Sequence, residues 1–323
     1  MKPNSCLAVV IAILALAGCT SGYTGAAPTS AGCRLPVVIR SFDPTSHVWS
    51  PDAAGFVSYP GGNFTLAKTN GVRYDARRHR WLPAGLPTPD GAGYIYTTNT
   101  AVHRVWLDSG VDRTIVTGRW WALGFVADQL YLAEVVPAPP YALEGVPPNT
   151  SEGELTTTRG IARTTLSGDI PVFVTHQGGI SALSSLGGWG FDRADGMMQA
   201  PDRVLHLDLS SGVIEPWLSM AGVMLSGFDA QGHPFVFNHG DTVHVVRLMS
   251  KGDGRVVFEG PYHAPWPQPP SYVDGDRVWF SGFSITDPRF DAPALLYEPG
   301  VGLHPSVGVP GAQVTVAGPC TKE

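Results

Sequence analysis

Two regimes of hydrophobic patterning divide the chain. Residues Cys6 to Ala17 form an unbroken apolar run of 12 residues, preceded by the single charge of Lys2. After residue 32 no such run recurs and no 3.6-residue period is sustained. Apolar and polar positions instead alternate in short stretches bounded by Gly, Pro, Asp or Asn, which predicts β-strands joined by tight turns. One hairpin pattern, an alternating strand, a polar turn and a second strand often carrying an aromatic, appears six times, at 71–83, 103–117, 160–175, 203–218, 243–260 and 294–307. A second pattern, with Asp or Gly at the turn, precedes several of these, at 124–134, 227–237 and 271–280. The body of the chain is expected to be all-β.

The N-terminal run is too short to span a hydrocarbon core of about 30 Å and fits an export signal over residues 1–18. Its exit, Leu16-Ala17-Gly18-Cys19, closely resembles the lipobox of bacterial lipoproteins. The resemblance implies cleavage before Cys19 and lipidation of its sulfur; the alternative is an ordinary signal peptide with an incidental cysteine. Several acyl chains on one residue suffice for stable anchoring, since each buried CH₂ contributes ~0.8 kcal/mol. Residues 19–32 then act as a tether: the 13 residues Thr20 to Gly32 carry no charge and are rich in Gly, Ala, Ser and Thr. A flexible segment of that length reaches roughly 20 Å. The implied location is outside the cytoplasm, on the outer face of the bacterial cell membrane or on the outer membrane, with the membrane engaged through the N-terminal lipid.

That reading reduces four cysteines to two. Cys6 leaves with the signal and Cys19 is acylated, so Cys33 and Cys320 remain, and an oxidising compartment favours a disulfide between them over two unpaired thiols. Such a bond requires the two ends of residues 33–323 to lie side by side.

Two hairpins make four antiparallel strands, and these units recur about every 40 to 50 residues. The rhythm resembles that of the β-propeller superfamily, in which each small sheet packs against its neighbours around an axis. The resemblance covers roughly residues 34–318 and lies in rhythm alone: no Trp-Asp dipeptide, regular Gly-Gly pair or Asp box marks a particular family. It implies one domain over residues 33–323 with six blades, or seven if the terminal strands form a composite blade. The apolar strands at 35–39 and 312–317, just inside Cys33 and Cys320, would then close the ring. A pair of β-sandwiches is the competing architecture, and it does not by itself bring the termini together.

Composition narrows the function. Without residues 1–18 the chain loses only Lys2, leaving 20 Lys and Arg against 27 Asp and Glu, with no basic cluster; nucleic acid is not an expected partner. HExxH, GxSxG, P-loop and GxGxxG motifs are all absent, which removes the main support for metalloprotease, serine hydrolase, NTPase and dinucleotide readings. No metal site and no cofactor is implied, and a monomer is expected.

In propellers generally, ligands meet the face formed by loops between blades and by loops linking the second and third strands of a blade. Position on that face singles out Arg119, Trp120, Trp121, His176, Tyr262, His263 and Trp266 as candidate ligand-binding residues. Aromatic rings beside polar groups stack on sugars or bury a partner's side chain, although propellers also use such rings to pack blades. Candidate catalytic groups are the carboxylates Asp192, Asp195, Asp287 and Asp291, with His239 beside Asp241. Arg193 and Arg289 lie between the paired carboxylates, as in a salt-bridged surface turn. His233 falls in a turn between first and second strands, which puts it on the opposite face. The 136–160 segment, long and rich in Pro, Ser and Thr, reads as a lid or as an irregular loop.

Two functions follow. One is a binding scaffold that presents its loop face to a protein, peptide or glycan. The other is a hydrolase or lyase with carboxylates or a histidine at the mouth of the central channel. The anchor makes a direct prediction: Cys19→Ala should move the protein from the membrane to the soluble fraction, and unchanged fractionation would refute lipidation.

Overall fold

In a computed structural model, residues 32–43, 48–50, 52–67, 69–137, 156–192, 202–238, 242–261, 266–283 and 292–322 are described. These residues contain strands and no helix, and the strands form five four-stranded antiparallel sheets, one five-stranded sheet in which Val48–Trp49 adds a short pairing, and a separate two-stranded hairpin. The protein is a six-bladed β-propeller.

Blades 2 to 6 are continuous in sequence. Blade 2 is built from Leu86–Pro87, Gly93–Thr97, Ala101–Trp106 and Asp112–Thr117. Blade 3 takes Trp120–Val126, Gln129–Pro137, Thr156–Thr164 and Val172–Thr175. Blade 4 takes Ile180–Ser184, Gly187–Asp192, Arg203–Leu207 and Ile214–Ser219. Blade 5 comprises Val223–Phe228, Pro234–Asn238, Thr242–Ser250 and Asp253–Pro261. Blade 6 comprises Trp266–Asp274, Arg277–Phe283, Ala294–Glu298 and Gly302–Val307. The first strand is innermost, and Trp120–Val126 packs against Ile180–Ser184, as Val223–Phe228 does against Trp266–Asp274.

Blade 1 closes the ring with strands from both ends of the body. Its innermost strand is the C-terminal Ala312–Val316, paired with Cys33–Asp43 in the register Val37↔Val316 to Ser41↔Ala312. Ala53–Tyr59 and Phe64–Leu66 complete its four-strand path, so the terminal strands build blade 1 of the six rather than adding a seventh. Past the Val37–Val316 rung, Cys33 and Cys320 form a disulfide with Cα atoms 5.6 Å apart. Arg34 and Thr321 exchange backbone hydrogen bonds beside it, at 2.8 and 2.9 Å.

The middle strands explain why a ring is needed. A run such as Pro234-Phe235-Val236-Phe237 is buried on both faces, because a blade presents two apolar faces and covers neither alone. Packed side chains fill the gaps between neighbours. Phe235, Phe237 and Val245 of blade 5 meet Val278, Phe280 and Leu295 of blade 6. Trp189 and Val204 of blade 4 meet Val236 and Leu248 of blade 5. Blades 6 and 1 share a cluster that includes Leu35, Val37, Trp279, Leu296 and Val314.

The gap between blades 1 and 2 is different. The sequence at 71–83 reads as a blade hairpin, but Arg73–Asp75 and Arg80–Leu82 pair only with each other as a two-stranded sheet. This hairpin is a wedge. On one side Trp81 packs on Val38, Ala54 and Ala317 of blade 1, with ring centroids 5.6 Å from Phe56 and 5.4 Å from Tyr74. On the other, Arg80 bonds Asp108 at 3.4 Å, and Arg78 lies so close to Gly91 that a Cβ there would come within 3.0 Å of its Nη1. The other five hairpins of that pattern supply third and fourth strands as expected, and 124–134, 227–237 and 271–280 supply first and second strands.

Cross-linking residues 287 apart removes nominally about 5–6 kcal/mol of chain entropy from the unfolded state. The double variant Cys33→Ser/Cys320→Ser is therefore expected to lower the thermal midpoint by several degrees while leaving the strand signal in circular dichroism intact. Loss of that strand signal in the folded baseline would mean that the bond shapes the fold instead of clasping it.

Candidate functional site

Antiparallel order sorts the connections onto two faces. Loops between blades and loops between second and third strands share the upper face, as the bond from Gly118 N in one to Thr100 O in the other shows, at 2.7 Å. Turns between first and second strands, and the disulfide, lie on the underside.

The best-defined part of the upper face is the rim of blade 3. Gly118 turns the chain at a φ of +110°, in the left-handed region, and its bare Cα lets the Trp120 ring fold back, with Nε1 donating to Thr117 O at 3.0 Å. Strand alternation then sends Trp120 and Trp121 to opposite sides. Trp120 packs on the core shared by blades 2 and 3, while Trp121 is 56% exposed. Phe173 lies 6.0 Å from Trp120 and stacks on exposed His176 at 4.4 Å. Beside them Arg159 grips Glu134 through two bonds, Nη2–Oε1 at 2.5 Å and Nε–Oε2 at 2.9 Å. Glu134's hydrogen bonds and charge raise the Arg159 guanidinium above its ordinary value. Arg119 is exposed at the start of the same rim, and its carbonyl accepts from Val135 N at 2.9 Å.

Four of the sequence candidates, Arg119, Trp120, Trp121 and His176, thus belong to one rim. Glu134, Arg159 and Phe173 join them, and nothing in the local sequence marks these three, because their proximity comes from strand pairing. Trp266 begins the first strand of blade 6, and Asp192 ends the second strand of blade 4 opposite Arg203. Their side chains lie outside the described residues, as do Tyr262, His263, Asp195, His239, Asp241, Asp287 and Asp291 in full. Of the 136–160 segment, both ends are strand, Gln129–Pro137 and Thr156–Thr164, and 138–155 lies outside the described residues. Among the described residues no group of three or more His, Cys, Asp or Glu is placed to hold a metal ion. No helix there is long and apolar enough to cross a membrane.

The underside holds a polar network centred on Asp229, whose side chain is 1% exposed. Its Oδ1 accepts the backbone N–H groups of Gln231 and His233 at 2.9 and 2.8 Å, which folds the turn. Its Oδ2 accepts Arg247 Nε at 2.7 Å, Arg247 Nη2, and His233 Nδ1 at 3.1 Å. Burial opposes the Arg247 charge, yet the hydrogen bonding and charge of Asp229, together with Tyr297, outweigh it and raise that guanidinium. Arg247 reaches Tyr297 Oη of blade 6 at 3.4 Å, Gln231 Nε2 bonds Asp276 at 2.8 Å, and Ser185 Oγ of blade 4 bonds Gln231 O at 2.9 Å. One turn therefore ties three blades together. His233 does lie on the underside, where it serves this network.

No protein-family model and no curated protein matches the chain. Among solved structures it is similar to TolB from Acinetobacter baumannii, at 12% identity and a TM-score of 0.51, over 88% of this chain and 67% of that one. An oligogalacturonate lyase in complex with manganese is similar at 12% identity and a TM-score of 0.49, over 83% of this chain and 78% of that one. A second, from Vibrio parahaemolyticus, is similar at 10% identity and a TM-score of 0.48 over the same shares. At such identities the likeness is one of fold alone.

Asp229→Ala strands a part-buried arginine and frees the turn. It is expected to cost about 3–5 kcal/mol, as breaking a buried ion pair does. Denaturant unfolding checks this, and a double-mutant cycle with Arg247→Met should recover part of the loss; additive losses would show that the pair is not coupled.

Proposed function

We propose that the protein is an exported, lipid-anchored propeller that acts as a binding scaffold, with the rim of blade 3 as its contact surface for a glycan, peptide or protein. The observation that carries this reading is Trp121, 56% exposed on the innermost strand next to exposed Arg119, with the Phe173–His176 stack beside Trp120 on the other side of the same strand. A tryptophan buried by a partner contributes more than most residues, and arginine shares that role. The Glu134–Arg159 pair places fixed donors and acceptors next to the rings, an arrangement suited to hydroxyl or amide groups. A lipid and tether at the N-terminus would hold such a surface within reach of the cell envelope or of ligands outside it.

The test is a glycan and peptide array probed with the full chain in detergent, followed by titration of the best ligand. Trp121→Ala should weaken binding by about 30-fold, equivalent to ~2 kcal/mol, without lowering the thermal midpoint, because the ring contributes little to the core. Equal binding by wild type and Trp121→Ala would move the contact surface elsewhere, and silence across both arrays would remove the scaffold reading for those ligand classes.

A further inference from the structure

A concavity opens on the underside, on the opposite face from the blade 3 rim. It has a volume of about 350 Å³ and is lined by Arg73, Tyr74, Phe228, Asp229, Tyr272 and Gly318, among others. Phe228 ends the innermost strand of blade 5, Tyr272 belongs to that of blade 6, and Gly318 follows that of blade 1. The cavity therefore sits at the inner mouth of the ring, where three innermost strands converge, and the wedge hairpin supplies its fourth wall.

Arg73 sets its chemistry. The side chain is exposed at the cavity yet so enclosed by protein that desolvation lowers its guanidinium below the ordinary value, an effect that Tyr272 partly offsets. Arg78, Arg104, Arg247 and Arg277 each face a carboxylate. Among the described residues Arg73 has no such partner and makes no hydrogen bond through its side chain. Asp229 does not neutralise it, because both of that carboxylate's oxygens are already engaged by Arg247, His233 and the turn backbone. A guanidinium held at a concavity with no carboxylate partner has its donor fork open to a ligand's anion.

The surroundings hold Arg73 in place. Val72 N bonds Leu82 O at 2.8 Å within the hairpin, and Tyr74 N bonds Ala317 O of blade 1 at 2.8 Å, so the backbone is fixed on both sides of residue 73. The Tyr74 ring is locked edge-on against Phe56 at 5.1 Å and Trp81 at 5.4 Å. A Cβ at Gly318 would come within 2.7 Å of Tyr74 O, so the chain needs glycine there to approach the hairpin. Tyr272 carries a phenol that burial, then the charge of Asp274, pushes above its ordinary value; it remains a protonated donor.

We infer that this cavity is a binding site for a small ligand bearing an oxyanion, a phosphate or a carboxylate, seated in the fork of Arg73 with the Tyr272 hydroxyl as a second donor. The planar guanidinium fork matches both oxyanions, and a volume of this order suits a small molecule packed on Tyr74 and Phe228. The site is independent of the upper rim.

Calorimetric titration of the full chain in detergent with inorganic phosphate and with succinate, each at matched ionic strength against sodium chloride, tests it. At least one anion should bind saturably with a dissociation constant on the order of 1 mM, and Arg73→Gln should weaken it by about tenfold or more. Saturation by phosphate alone assigns a phosphate-bearing ligand; saturation by succinate alone assigns a carboxylate. Arg73→Lys should retain part of the affinity and Tyr272→Phe should weaken it by a smaller factor, and these two decide the matter if Arg73→Gln does not fold. Absence of saturable binding to either anion, or affinities unchanged across the folded variants, overturns the inference.

Discussion

Everything in this protein depends on sheets that bury both faces at once. A four-stranded blade whose second strand reads Pro-Phe-Val-Phe cannot be left with one side in water, and a stack of blades would leave two such sides bare at its ends. Inserting Ala312–Val316 beside Cys33–Asp43 joins those ends. The disulfide and the Arg34–Thr321 backbone bonds fasten the join past the last rung between those two strands, where they do not interrupt that ladder.

Closure also gives the molecule two unlike faces. On the upper rim of blade 3 aromatic rings meet solvent, and the charged pair beside them is exposed on the arginine side. On the underside charges are drawn inward: Asp229 and Arg247 neutralise each other within blade 5, and the hydrogen bonds around them tie that blade to blades 4 and 6. The wedge hairpin links the two features of the underside. It fills a gap that other blade pairs fill directly, and in doing so it carries Arg73 to the inner mouth, beside a turn whose own charge is already balanced.

Much of this architecture was legible in the chain. Alternation located hairpins in blades 2 to 6, and removing two cysteines on the strength of the lipobox resemblance left a pair that the ring brings together. The misreadings are informative. The hairpin at 71–83 alternates as well as any blade strand, but alternation reports only that one side is covered, not which neighbour covers it. The true outer strand of blade 1, Phe64–Leu66, is too short to show a period. The central strand Gly187–Asp192 carries no alternating signal in Gly187-Gly188-Trp189-Gly190, and glycine is needed at 190 because a Cβ there would run into the Gly179 carbonyl. Among the site residues, the exposed aromatics could be placed by loop position. The Asp229–Arg247 pair could not, since it joins a turn to a strand of the same blade through space.

The sequence by itself determined the local events: a period of two, turns at Gly and Asp, a chain too apolar to stay open and too evenly patterned to form helices. These follow from backbone geometry and near-neighbour contacts, which a linear string records. Tertiary structure alone decided the closure of the ring at six blades, the use of one hairpin as a wedge, which tryptophan of the Trp120–Trp121 pair faces water, and the placing of Arg73 at the inner mouth. Each of those outcomes depends on surfaces contributed by segments far apart in the chain, and burial and charge balance exist only once those surfaces have met.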